Sequence, residues 1–312
     1  MKYKIDEQFH GWRLDKFLNK KLTESTRSQI KKRILAGLIE VNGKKATAHR
    51  FLKARDLVEI KKETASRPAD VLKKPPKENQ NAGILKKIKI LDQKDDWLII
   101  YKPANLLVHP TKTSAEKTLV DWLMKKHPSI AKVGEDPNRP GIVHRLDKET
   151  SGLMVIAKNQ KMFEHLKSQF KKRLITKKYY ALIYGRPDSL EDEMSFRVGR
   201  SAQSGAMAAH PFNSTLGKSA LTEYEVIKTS PKYSLVDVSP KTGRTHQIRV
   251  HFLALNHPVV GDPLYKTKKY KPAKIVRMFL QAYYLSFEDL NGDKLEYKIA
   301  LDGDLDDFFK KL

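Results

Sequence analysis

Residues 61–86 divide the chain. Arg67-Pro68, Lys73-Lys74-Pro75-Pro76-Lys77 and Asn79-Gln80-Asn81-Ala82-Gly83 succeed one another there without apolar periodicity. Proline fixes φ and lacks a backbone donor, and Asn and Gly favour turns, so neither helix nor strand is expected to run through. The stretch reads as a proline-stiffened linker. Its lysines would favour a nearby phosphate backbone, and a plain spacer explains them equally well. The residues before 61 and after 86 must then bury their apolar side chains in separate cores. The length of 312 residues agrees, since one core stops growing at about 250–300.

Residues 12–60 form the smaller unit. Leu14, Phe17, Leu18 and Leu22 fall at helical spacing. Ser25 or Thr26 can cap a second helix carrying Ile30, Ile34 and Leu35, which Gly37 would end. Leu38 to Val41 reads as a strand, Asn42-Gly43 as a tight hairpin turn, and Arg50 to Ile60 supplies another strand. The second helix also bears Arg27, Lys31, Lys32 and Arg33. A charge run is usually a solvated face. Four cations on one short helix of a strongly basic chain favour a phosphate-contacting face instead.

Residues 87–312 alternate short strands with a few helices. Lys87 to Leu91, Trp97 to Tyr101, Leu153 to Ala157, Tyr179 to Tyr184, Tyr224 to Ile227 and Ser234 to Val238 suit strands. Met162, Phe163, Leu166 and Phe170 mark an amphipathic helix, as do Ile248, Phe252 and Leu255. Asn291-Gly292 signals a hairpin. With no strict βαβ rhythm, the fold class expected is α+β: a small helix-and-sheet unit, then a mixed domain with a largely antiparallel sheet.

Charge narrows the partner. Sixty-one Lys and Arg against thirty-six Asp and Glu leave +25, a surplus that attracts a polyanion. Nucleic acid comes first; an acidic membrane surface comes second, and no long amphipathic basic helix supports it. No apolar run approaches the roughly 18 residues of a membrane span, and the N-terminus lacks a secretory pattern. Without cysteine, disulfides, thiolate catalysis and Cys-held metals are out. A cytoplasmic location is expected.

Three blocks carry candidate chemistry. His144-Arg145-Leu146-Asp147-Lys148-Glu149-Thr150-Ser151-Gly152 is a polar loop between Ile142-Val143 and the strand that starts near Leu153. Loops between strands hold reactive groups rigidly. Taken alone, this one is better read as a turn with Asp147 as its cap. Thr242-Gly243-Arg244-Thr245-His246-Gln247-Ile248-Arg249-Val250-His251 opens a helix after a turn. A cation near a helix N-terminus, as Arg244 would be, is unfavourable unless an anion faces it. That anion is a phosphate or a carboxylate, and a solvated arginine is the plain alternative. In Lys177-Lys178-Tyr179-Tyr180, strand alternation sends the two tyrosines to opposite faces, one to the core and one to a cleft, in either order.

Arg13-Leu14-Asp15-Lys16-Phe17-Leu18, Arg27-Ser28-Gln29-Ile30 and Gly37 to Lys44 resemble an S4 RNA-binding domain. Tyr101-Lys102-Pro103-Ala104 with Val108-His109-Pro110, Arg139 to Asp147, Thr150 to Leu153, Lys177 with Tyr179 and Ala181, Thr242 to His251 and His257 to Tyr265 resemble the RluA family of pseudouridine synthases. The resemblance implies conversion of uridine to pseudouridine within RNA, with no metal, cofactor or external electron donor. It implies ribosomal RNA as first substrate, transfer RNA as second, and a monomer. Asp147 matches the family's nucleophile, Arg244 the arginine paired with it, Tyr179 the tyrosine beneath the uracil, and Arg145 the residue that fills the gap left by the flipped nucleotide. Ile248 would be an apolar pocket wall. The chain departs from the family at Asn105 and Lys266, where Gly is usual, at Gln281, where His is common, and over Ser201 to His210. Asn tolerates a left-handed backbone, so the turn at Asn105 should survive. The rival from another class is a non-catalytic RNA-binding or ribosome-assembly protein. It accounts for the charge but not for Asp147, Tyr179 and Arg244 all standing at motif positions.

Overall fold

A computed structural model describes residues 1–22, 30, 33–34, 37–47, 50–61, 82–111, 114, 116–201 and 203–312. The chain divides into two compact units, Met1–Pro75 and Pro76–Leu312.

In the first unit, β1 (Lys2–Lys4), β2 (Ile39–Val41), β3 (Lys44–Lys45) and β4 (Leu57–Ile60) form an antiparallel sheet in the order β1-β4-β2-β3. Helix α1 (Leu14–Lys21) buries Leu14, Phe17 and Leu18, as its apolar spacing requires, with Ile30, Ile34, Ile39, Val41 and Val58. Asn42 and Gly43 both take positive φ, 54° and 70°, the backbone of a two-residue hairpin turn between β2 and β3. Gly37 has φ +72°, and Leu38 N–H donates to Arg33 O at 3.0 Å, which closes a helical turn as anticipated. Ser25, Thr26 and Leu35 lie outside the described residues.

The second unit is built on one sheet of β5 (Lys89–Gln93), β6 (Trp97–Lys102), β7 (Ser151–Ala157), β8 (Thr176–Tyr184), β9 (Glu191–Arg200), β10 (Met207–His210), β11 (Lys218–Thr229), β12 (Tyr233–Pro240), β13 (Leu280–Glu288) and β14 (Lys294–Lys298). The order is β10-β9-β11-β12-β8-β13-β7-β6-β5, with β14 also on β13. Every pairing is antiparallel except β7 with β13. Every residue of β7 is buried, which suits its unbroken apolar run. Helix α2 (Ala82–Leu85) precedes β5. Helices α3 (Leu119–Lys126) and α4 (Gln160–Lys172) add Leu119, Leu123, Met162, Phe163 and Leu166 to the core beside β6 and β7. Helix α5 (Gln247–Ala254) differs from the amphipathic expectation: Gln247 to Phe252 are all buried. Enclosure on every side removes the need for a polar face. Helix α6 (Gly303–Phe309) buries Leu305. Among the described residues, no helix is long and apolar enough to cross a membrane.

The parallel pair positions the site. Gln281 lies beside Ser151 and Ala282 beside Gly152, while Ala282 is also opposite Tyr179 on β8. The entry to β7, and so the loop before it, therefore lies two strands from Tyr179. Gly152 is required by this approach: its φ is +125°, and a Cβ there would stand 2.1 Å from the Ala282 carbonyl oxygen. Gln281 ties the sheet to the C-terminal segment, donating to Ala300 O at 2.8 Å and accepting from Asp302 N–H at 2.7 Å.

Candidate active site

Asp147 sits on the loop entering β7, where Leu146 before it and Thr150 after it are buried. Lys102, at the end of β6, holds this loop from below. Its Nζ is buried and donates to Pro103 O and Leu106 O at 2.9 Å and to Lys148 O at 3.3 Å. Leu106 N–H donates to the same Lys148 carbonyl. Burial pulls the Lys102 pKa down to about 7 while the charges of Asp147 and Glu149 pull it up. Three acceptors around Nζ match its ammonium form. Asn105, in the turn between, has φ 63°, so asparagine does take the left-handed backbone there.

Arg249, in the first turn of α5, is the largest fully buried side chain among the described residues. Its Nε and Nη2 donate to the two oxygens of Asp262 at 2.7 and 2.8 Å, a bidentate fork. Nη1 reaches Glu149 at 3.3 Å and Asp147 at 3.4 Å. Burial alone would disfavour its charge, but the bonds and charge of Asp262, then Asp147 and Glu149, hold its pKa above the usual arginine value. Asp262 also accepts the amides of Leu264 and Tyr265, at 2.8 and 3.0 Å.

This geometry corrects one expectation. The guanidinium on Asp147 is that of Arg249, not Arg244. The helix begins at Gln247, so Arg249 is the cation that faces its N-terminus and is met by carboxylates. Arg244 lies on the loop before it, where its Nε donates to Ser219 O at 3.1 Å and Gln247 Oε1 accepts its backbone N–H at 2.9 Å.

Asp147, Arg244, Tyr179, Arg145 and Ile248 nevertheless line one cavity, together with Lys177, His246 and Arg249. Tyr179 is the buried tyrosine at this cavity, and burial and the charge of Asp147 raise its pKa. Tyr180 stacks on Tyr283 elsewhere, with ring centroids 3.8 Å apart. Ile248 is buried and also belongs to the main core. Arg145 is exposed, 3.4 Å from His109 Nε2. His246 Nε2 lies 4.0 Å from Asp147, and its Nδ1 shares a 2.7 Å hydrogen bond with the Tyr265 hydroxyl. Burial lowers the His246 pKa despite Asp147. Beside the cavity runs a wider groove that shares Arg145, Lys177, Gly243 and Arg244 with it. In the smaller unit, Arg33 is half-buried, whereas Arg27, Lys31 and Lys32 lie outside the described residues.

Sequence reading missed Arg249 and Asp262 as a pair, and Lys102. A charge inside the apolar run Ile248, Val250, Phe252 was the available sign, because a buried cation needs an acid partner. Nothing in the sequence marks that acid as Asp262.

A carboxylate at a cavity rim, a basic groove beside it and a separate basic module define an enzyme that acts on nucleic acid. The family model for RNA pseudouridylate synthase matches residues 96–254, and that for the S4 domain matches 12–58. The chain belongs to the RNA pseudouridine synthase family, with an S4 domain ahead of the synthase domain. It is 38% identical over 258 residues to a ribosomal large subunit pseudouridine synthase D of Blochmanniella floridana, covering 82% of this chain and 76% of that one. A protein of the same name from Haemophilus ducreyi is 33% identical, covering 99% and 93%. The solved structure of human RNA pseudouridylate synthase domain containing 1 aligns with a TM-score of 0.58 at 27% identity, covering 73% of this chain and 95% of that one.

Proposed function

We propose that this chain isomerises uridines of large-subunit ribosomal RNA, with Asp147 as nucleophile. The observation that carries the reading is the cavity itself. Asp147 stands at its wall against a buried guanidinium, and Tyr179 lines the same cavity. The substrate follows from the names of the Blochmanniella and Haemophilus relatives.

A stacked uridine shields C1′ and C6, so the nucleotide must leave the helix, at about a few kcal/mol. Arg145, exposed at the cavity mouth, offsets part of that by stacking in the gap. The Asp147 carboxylate adds to the nucleotide, at C1′ or at C6 of the base. The C1′–N1 bond breaks with its electron pair going to the base. The uracil turns on the Tyr179 ring, C5 bonds to C1′ and the carboxylate leaves. C5 loses a proton and N1 gains one, so composition is unchanged. Arg249 fixes the carboxylate in place, the role first read for Arg244, which instead faces incoming RNA. The S4 domain, through Arg27, Lys31, Lys32 and Arg33, adds contacts to the RNA backbone.

The test is pseudouridine-specific labelling with primer extension on large-subunit RNA, from cells lacking the gene and cells complemented with wild type or Asp147→Asn. Labelled stops should vanish without the gene and return with wild type alone. Purified Asp147→Asn should still bind RNA in a salt-sensitive way. Stops restored by the Asn variant would place the nucleophile elsewhere; stops that never depended on the gene would remove this RNA as substrate.

A further inference from the structure

The groove beside the cavity is lined by Arg139, Arg145, Lys171, Arg173, Lys241 and Arg244, and by Lys177; no carboxylate lines it. Arg139, Arg145, Lys171, Arg173 and Lys241 are exposed and solvated, and Arg244 is half-buried and bonded to Ser219 O. Lys177 is different. It is half-buried and lines both the groove and the Asp147 cavity, so it stands where the two join. Among the described residues it makes no ion pair or hydrogen bond, and its Nζ lies 5.7 Å from the Phe170 ring centroid. Burial unrelieved by any acid brings its pKa down to about 8. An ammonium has three donors, and this one, half-buried with no protein acceptor or carboxylate at hand among the described residues, is open to an anionic partner entering the groove.

We propose that Lys177 anchors one backbone phosphate of the RNA strand next to the everted uridine. This rests on the reading that the Asp147 cavity takes that uridine. Lys177 and Tyr179 share a face of β8 two residues apart, about 7 Å along the strand. With the uracil on Tyr179, Lys177 is displaced from the base toward the groove, where the sugar–phosphate chain must leave the cavity. A phosphate there supplies acceptors and the counter-charge that the groove's own lining lacks. The uracil oxygens are the competing acceptors, and they make different demands on an experiment.

The probe is a short fluorescent RNA spanning a labelled uridine, bound to protein carrying Asp147→Asn so that no turnover intervenes. Adding Lys177→Gln should weaken binding several-fold and flatten the slope of log affinity against log salt by about 0.7, one phosphate's worth on single-stranded RNA. Lys177→Arg should restore most of both. Methylphosphonates, which neutralise single phosphates, are then placed one at a time. One position flanking the uridine should cost affinity with Lys177 present and nothing with Gln. That scan on the Lys177 protein alone decides the matter if the Gln variant misfolds, because no sensitive flanking position overturns the proposal. An unchanged salt slope with a lowered single-turnover rate in the Asp147 protein would assign Lys177 to the base, and also overturns it. RNA that fails to bind Asp147→Asn at all is a failure of the parent reading, distinct from either.

Discussion

Asp262→Ala tests the buried pair most directly. Asp262 is fully buried, forks onto Arg249 at 2.7 and 2.8 Å and accepts two backbone amides. Its loss leaves a buried guanidinium with only the longer contacts to Glu149 and Asp147, at 3.3 and 3.4 Å. Breaking a buried pair from one side costs about 3–5 kcal/mol. The two stranded amides, Leu264 and Tyr265, add about 1–3 kcal/mol each in isolation, but contacts sharing one partner do not add. We therefore expect about 4–5 kcal/mol in all. At about 2–4 °C per kcal/mol for a unit of this size, the melting temperature should fall by about 8–20 °C. Asp262→Asn keeps an acceptor for the amides and should recover part of that. Thermal unfolding by circular dichroism measures both, and pseudouridine formation at a temperature where each variant is folded measures the chemistry. An alanine variant that melts within about 2 °C of wild type would refute the argument that Asp262 fixes Arg249.

Other outcomes are expected. His251 is fully buried with no hydrogen-bond partner for either ring nitrogen among the described residues, and burial holds its pKa near 4 against the usual 6.5. Between those values the unfolded chain binds more protons, so this contribution is complete above pH 6.5 and disappears by about pH 4, about 3 kcal/mol in all. Urea unfolding at pH 7 and pH 5 should show His251→Leu losing less stability on acidification than wild type. Gly152→Ala forces a Cβ against the Ala282 carbonyl at φ +125° and should cost at least about 3 kcal/mol, read as lost soluble yield and a lowered melting point. Removing residues 1–60 should weaken RNA affinity more than it slows single-turnover chemistry at saturating enzyme; a collapsed rate would contradict this.

Local rules carried much of the fold. Asn42-Gly43 and Asn105 take the left-handed backbone their side chains tolerate, and Gly37 ends a helical turn as its lack of a Cβ allows. Helix α3 went unread although Thr118 and Asp121 form a capping box over its first turn. Tyr179 and Tyr180 were separable only as opposite faces. Which one meets the cavity depends on β8 lying beside β13, a pairing between residues far apart in sequence. The same limit hid the partner of Arg249. Motif spacing placed the right block, but the residue that touches Asp147 is set by where the helix begins.

Asp262 holds the arginine beside Asp147 and the start of the following loop with a single carboxylate. A loop grafted in to retarget the enzyme to another RNA should therefore be spliced beyond Tyr265. A junction placed earlier would loosen the chemistry along with the recognition, and a lost activity would then be mistaken for a lost substrate.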